Sequence, residues 1–354
     1  MDPVTITFAT ASSPESAAGR SFTAFADAVK EKSDGKITFE PYWSGSLLQT
    51  PEALDGVKSG TADSATLVPT YFPQELPVNV WFSNLSFMPK SSLPHGLVSG
   101  SAAVMQTQTT EDAMKAELEA QGLKLLMATQ NTVAMPIICT KPVETLEDAD
   151  GLRVRVGGPP WSDELEALGM VPTVIPMDEA YQALQRGLVD CAVAPETISV
   201  AFGLWEVAKH HVPLTMSGNN STLQVMNMDT WNKLPTEAQE VITESAHTFF
   251  TAEAQDYLSD YEAWAVDAGP EHDVEFHDAS ELNAVLDTYH EDLTQTLVDD
   301  AAGFVEAYQS ALDTWYDDAL TDLGPKEDLS AGLDSFDFSS WDARTEELFA
   351  TQGE

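Results

Sequence analysis

The sequence predicts an α/β fold in two lobes followed by long helices. Three observations carry that prediction. Strand-like and helix-like patterns alternate from the N-terminus, Gly and Pro signals punctuate them, and periodicity turns mainly helical from Thr236 onward. At 354 residues the chain has room for two ordinary domains, and its 43 % apolar content is that of a globular protein.

In chain order, a strand is predicted from Val4 to Thr10, followed by a capping box at Ser12-Ser13-Pro14-Glu15. Phe22, Phe25, Ala26 and Val29 fall at i, i+3, i+4 and i+7, marking a helix that stops at Asp34-Gly35. A strand at Lys36 to Tyr42, a helix at Pro51 to Ser59 and a strand at Asp63 to Val68 repeat the alternation, which favours a mostly parallel sheet. One long helix is expected between about Leu93 and Gln121, then strands at Leu123 to Thr129 and Ala134 to Thr140. Gly151-Leu152-Arg153-Val154-Arg155-Val156 alternates as a strand and runs into Gly157-Gly158, with a helix beginning near Trp161. Met177, Ala180, Tyr181, Leu184 and Leu188 recur at helical spacing around a stop at Gly187. Strands are expected at Leu188 to Ala194, Val212 to Met216 and Thr222 to Met228. Helices at about 236–266 and 281–322 flank a short strand near Val274 to Phe276. A last short helix is expected near Thr345 to Ala350.

With 58 acidic against 16 basic residues the formal charge is −42, which disfavours nucleic acid and anionic membranes as partners and suits a strongly solvated surface in salty surroundings. No apolar run approaches the roughly 18 residues of a spanning helix. Met1-Asp2-Pro3 leads directly into the first strand pattern, so either the chain is cytoplasmic or a signal segment has been removed and Met1 put in its place. Cys139 and Cys191 sit in apolar strand-like runs; free thiols are the favoured reading and a single disulfide the other. No metal site is expected. The seven histidines are scattered, and the adjacent pair His210-His211 would point to opposite faces of a strand.

Two of the chain's five arginines, Arg153 and Arg155, share one face of their strand beside glycines, where a forked guanidinium is suited to receive a carboxylate. Other candidate polar and aromatic groups also fall at strand ends: Ser12, Tyr71, Glu196, Asn219 and Asn220. Ligands of α/β lobes bind outside the carboxyl ends of strands, so shared position is the argument for this set. Trp81, Trp161 and Trp205 are candidate aromatic walls for an aromatic acid or a methylated onium group. Each has a bland reading as core, and Glu196 reads equally well as a helix-start carboxylate.

An ordered series of segments then stands out: Ser33-Asp34-Gly35-Lys36-Ile37, Val57-Lys58-Ser59-Gly60-Thr61-Ala62-Asp63, Leu146-Glu147-Asp148-Ala149-Asp150-Gly151-Leu152-Arg153-Val154-Arg155-Val156, Leu168-Gly169-Met170-Val171-Pro172-Thr173, Glu179-Ala180-Tyr181-Gln182-Ala183-Leu184-Gln185-Arg186-Gly187-Leu188-Val189-Asp190, and Leu234-Pro235. The series resembles the substrate-binding proteins of tripartite ATP-independent periplasmic (TRAP) transporters over about residues 4–260. That resemblance implies a two-domain, periplasmic-binding-protein-like α/β fold with a hinged cleft, two crossings and a long helix across both domains. It implies domain 1 at 1–126 plus about 217–255, domain 2 at 127–216 plus about 256–280, and a C-terminal part, about 281–354, packed across both.

The resemblance further implies an exported, periplasmic or extracytoplasmic monomer, lipid-anchored or free, that hands a small organic acid to membrane permease subunits. Arg155 matches the arginine that binds the carboxylate, whereas Arg153 has a solvent or structural role. Two departures bear on the ligand: Ala194 stands where the family often has an asparagine, and Met135 where sialic-acid binders carry a second arginine. The expected solute is therefore a monocarboxylate with an apolar, aromatic or methylated onium part. An enzyme is not expected, since no nucleophile elbow, phosphate loop or zinc-protease motif occurs, and no cofactor is implied. A sensor presenting its solute to a receptor is the alternative reading.

Overall fold

A computed structural model describes residues 1–130, 132–219, 221–264, 272–325, 329 and 332–350. The predicted alternation becomes two mixed sheets. The first holds β1 (Val4–Ala9), β2 (Ile37–Tyr42), β3 (Ser64–Leu67), β4 (Leu123–Thr129) and β10 (Thr222–Asn227), in the order β2-β1-β3-β10-β4. The second holds β5 (Met135–Cys139), β6 (Arg153–Val156), β7 (Val171–Val174), β8 (Cys191–Val193), β9 (His210–Met216) and β11 (Glu275–Phe276), in the order β11-β9-β5-β8-β6-β7. β1 is parallel to β2 and β3, and β6 to β7 and β8, whereas β10 and β5 run antiparallel to both of their neighbours. Those two antiparallel strands follow from the chain's first two passages between the sheets, from β4 to β5 and from β9 back to β10. The crossings are laced by the bridge Thr132 to Asn219. Gly218 is required there, because a Cβ at that position would stand 2.3 Å from the Thr132 carbonyl oxygen.

The helices are α1 (Ala17–Lys32), α2 (Ala53–Ser59), α3 (Pro77–Ser83), α4 (His95–Thr110), α5 (Asp112–Ala120), α6 (Leu146–Ala149), α7 (Trp161–Ala167), α8 (Ala180–Gln185), α9 (Glu196–Ala201), α10 (Met228–Lys233), α11 (Thr236–Ala263), α12 (Ser280–Asp322) and α13 (Phe338–Thr345). Two of them tie the lobes together. α12 puts Leu282 and Leu286 into the core of the second lobe and Leu297, Val305 and Tyr308 into that of the first, and Ala301 interrupts its helical backbone between Leu297 and Val305. α11 packs Ala238, Ile242 and Phe249 into the first lobe, while Trp264 just beyond it meets His211 and Phe276 of the second.

Several sequence expectations shift. The helix expected over Leu93 to Gln121 divides at Glu111, whose backbone is extended. The break lets α5 aim buried Glu117 at the start of α3, where it accepts from the amides of Val78 (2.5 Å) and Asn79 (3.0 Å). α1 is capped by Ser16 instead of Ser12, so Ser12 and Ser13 remain in a loop. The strand expected from Leu188 begins only at Cys191, because Leu188 is exposed in the turn after Gly187. The short helix expected near Thr345 to Ala350 is present at Glu347–Ala350, and the separate helix α13 precedes it.

The favoured thiol reading is overturned. Cys139 and Cys191 are directly opposed on β5 and β8 and form a disulfide. Reduction, or paired Cys139→Ser and Cys191→Ser, is expected to lower stability by about 2 kcal/mol. Urea unfolding with and without reductant measures this, and coincident midpoints would contradict it.

Candidate ligand-binding site

Strand alternation on β6 sends Val154 and Val156 into the core of the second lobe and both arginines to the other face, as their spacing predicts. The two arginines then meet different surroundings. Arg153, on the exposed end, pairs with Asp190 through Nε (3.0 Å) and Nη2 (2.8 Å). Arg155 is 3 % exposed, and no carboxylate of the described residues lies within 4.0 Å of its guanidinium. It donates from Nε to the Ile175 carbonyl (2.7 Å), from Nη1 to the Val193 carbonyl (3.3 Å) and from Nη2 to the Tyr71 hydroxyl (2.7 Å). A guanidinium has five N–H donors. One N–H on each terminal nitrogen therefore has no partner among the described residues and can be offered to a carboxylate.

Arg155 opens into a cavity of about 500 Å³ between the two sheets, within the usual size range of small-molecule sites. The first lobe supplies Thr10, Ser12, Thr70 and Tyr71, and the second supplies Met135, Trp161, Asp178 and Phe202. Asn219 comes from the crossing, and Glu253 and Tyr257 from α11. Trp161 is held by its indole N–H, which donates to the Ser217 carbonyl at 2.7 Å. Ser217 is held in turn by buried Glu164, which accepts from its amide (2.9 Å) and hydroxyl (2.6 Å). Gly157 and Gly158 let the lobes approach: a Cβ on Gly158, at φ +126°, would stand 3.0 Å from the Thr70 carbonyl.

Of the sequence candidates, Arg155, Trp161, Tyr71, Ser12 and Asn219 converge on this cavity. Asn219 also serves its own turn, with its amide nitrogen donating to Thr222 Oγ1 at 3.2 Å. Asn220 lies outside the described residues. The other three stand elsewhere. Glu196 opens α9 between cavity-lining Pro195 and Thr197, but successive helical positions diverge by about 100° and its carboxylate meets His211 Nε2 at 3.0 Å. Trp81 packs edge-on against Phe304 of α12, and Trp205 stacks on His272 at 4.2 Å.

Three acidic cavity residues escaped the sequence reading: Asp178, Glu253 and Asp260. Asp178 Oδ1 and Thr70 Oγ1 are buried without a hydrogen-bond partner among the described residues. Burial, aided by the charge of Asp256 and opposed by the Thr129 hydroxyl, pushes the Glu253 carboxyl up to about 7. A signal for Glu253 existed in Phe249, Glu253 and Tyr257, where an acid interrupts an apolar stripe at i, i+4 and i+8.

The model of bacterial extracellular solute-binding protein family 7 (DctP) matches residues 8–294. A solute-binding protein of Albidiferax ferrireducens is 29 % identical over 187 residues, 52 % of either chain. The C4-dicarboxylate-binding periplasmic protein DctP of Rhodobacter capsulatus is 24 % identical over 260 residues, 73 % of this chain and 74 % of that one. Alignments thus span from about half to three quarters of these relatives. Among solved structures, a marine-metagenome TRAP solute-binding protein specific for aromatic acids, in complex with 3-hydroxybenzoate, superposes with a TM-score of 0.75 at 22 % identity, covering 89 % of this chain and 99 % of that one. Among the described residues no helix is long and apolar enough to cross a membrane. With a family model matched across both lobes and the same two-sheet architecture, the chain belongs to bacterial extracellular solute-binding protein family 7, the TRAP solute-binding proteins.

Proposed function

We propose that this protein captures a small organic monocarboxylate in the cavity between its lobes and delivers it to a TRAP-type permease from the extracytoplasmic side. The observation that carries the reading is Arg155, a buried guanidinium facing a cavity of about 500 Å³ with no acidic partner among the described residues. A buried charge without a counter-charge is costly, so the site favours an anion. Trp161, Tyr71, Met135 and Phe202 supply an apolar and aromatic wall for the rest of the solute, in keeping with the aromatic-acid specificity of the solved relative. Asp178 and Glu253 offer partners to a donor or onium group at a distance from the carboxylate.

The disulfide agrees with an oxidising compartment. The lobes close about the two crossings, and the protein acts as a monomer.

Thermal unfolding against C4-dicarboxylates, keto acids, aromatic acids and betaines tests the solute class. At a hundred times its dissociation constant a solute adds about 2.7 kcal/mol and raises the midpoint by several degrees. A shift confined to aromatic or betaine monocarboxylates is expected. A shift produced only by dicarboxylates would overturn the monocarboxylate assignment.

A further inference from the structure

The outer edge of the second sheet carries a side-chain cluster remote from the cavity lining. β11 runs parallel to β9 with Glu275 opposite His210, and alternation returns His277 to the same face two residues later. His210 Nδ1 lies 3.0 Å from His277 Nε2 and 3.5 Å from Glu275 Oε2. The three ligand atoms lie within 4.8 Å of one another. On its other side the His277 ring sets Nδ1 2.9 Å from Glu144 Oε1. A carboxylate accepting from Nδ1–H selects the tautomer whose Nε2 lone pair faces His210.

We propose that His210, Glu275 and His277 form a three-ligand site for a first-row divalent cation such as Zn²⁺, with Glu144 orienting His277 from behind. Two imidazoles and one carboxylate are a borderline donor set, suited to Zn²⁺ and poor for Ca²⁺ or Mg²⁺, which take oxygen ligands. Two nitrogens bound to one Zn²⁺ at about 2.0–2.1 Å stand about 3.3 Å apart in a tetrahedral arrangement. The 3.0 Å separation needs only a small opening to reach that geometry. Both histidine side chains are largely covered, at 16 % and 9 % exposure, while Glu275 at 67 % gives access from solvent and leaves a fourth position for water. The ammonium of Lys209, next to His210 in sequence, donates to the His272 carbonyl at 2.6 Å.

The site has a mechanical consequence. β11 is a two-residue strand on the return path from α11 to α12, and a bound cation clasps that return to β9. The sequence argument against a metal remains valid for His210 with His211, whose ring instead meets Glu196. The partner that completes the site is 67 residues away, at His277.

Calorimetric titration of the untagged, chelator-treated full chain with ZnCl₂ tests the site, alongside His210→Ala, His277→Ala and Glu144→Gln. The expected result is one Zn²⁺ per chain, with affinity at least tenfold weaker in each histidine variant and about tenfold weaker in Glu144→Gln. Saturating Zn²⁺ should raise the unfolding midpoint most in the wild type, less in Glu144→Gln and least in the histidine variants. Equal uptake of Ca²⁺ would assign the signal to the acidic surface and overturn the proposal. So would the absence of stoichiometric Zn²⁺ uptake, or uptake undiminished in both histidine variants, which would leave a plain hydrogen bond between the two rings.

Discussion

Arg155→Ala is expected to weaken solute binding by on the order of a thousandfold while leaving the fold in place. Removing one member of a desolvated charge pair costs about 2–5 kcal/mol, because the solute carboxylate then enters the cavity without its partner. The fold is spared for a related reason. Arg155 has no acidic partner among the described residues, so its loss strands no buried counter-charge. Removing the side chain opens space continuous with the cavity, through which water can reach the Ile175 and Val193 carbonyls. Arg155→Lys supplies the charge without the fork and should fall between the two. Calorimetry with the solute identified by thermal shift, together with circular dichroism, reads both quantities. Wild-type affinity in Arg155→Ala would remove Arg155 from the site, and an unfolded Arg155→Ala would assign it to the core.

Glu253→Gln should stabilise the protein above neutral pH and change it little at pH 4. Burial raises the folded-state value of this carboxyl from 4.5 to about 7. Between those two values the unfolded chain releases a proton that the folded chain retains, so this group's contribution to stability is intact below about 4.5 and declines as pH rises towards 7. A glutamine has no such proton. The advantage of the variant over wild type should grow through that window to about 3 kcal/mol and then level off. Urea unfolding at pH 4, 6 and 8 measures the difference. A difference independent of pH would mean that the carboxyl ionises freely. Because Glu253 lines the cavity, the same titration changes what the site offers a solute, a hydrogen-bond donor below about 7 and an anion above it.

The elements of this protein were legible wherever the pattern is local. Phe22, Phe25 and Val29 mark the buried face of α1, and Val154 and Val156 mark the inner face of β6; both periodicities are properties of a single segment. The division at Glu111 was hidden because it serves a contact with another element, the amides that open α3. The cysteine pairing was hidden for a like reason, since spacing says nothing about which strands become neighbours.

The candidate site divides along the same line. Composition and strand position by themselves brought forward Arg155, Tyr71, Trp161 and Ser12, because strand ends in an α/β fold face the crevice wherever the strands lie. The sequence likewise determined the acidic surface and, through its ordered motifs, the family. Only the tertiary structure decided that Arg153 is spent on Asp190 while Arg155 keeps N–H donors without a partner among the described residues, a difference of burial between two residues of one strand face. It also turned Trp81, Trp205 and Glu196 towards other partners and brought Glu253 from α11 to the cavity and His277 to His210. Periodicity records which face of an element is buried, but what that face meets is set by how distant elements pack, and no single segment of the chain contains that information.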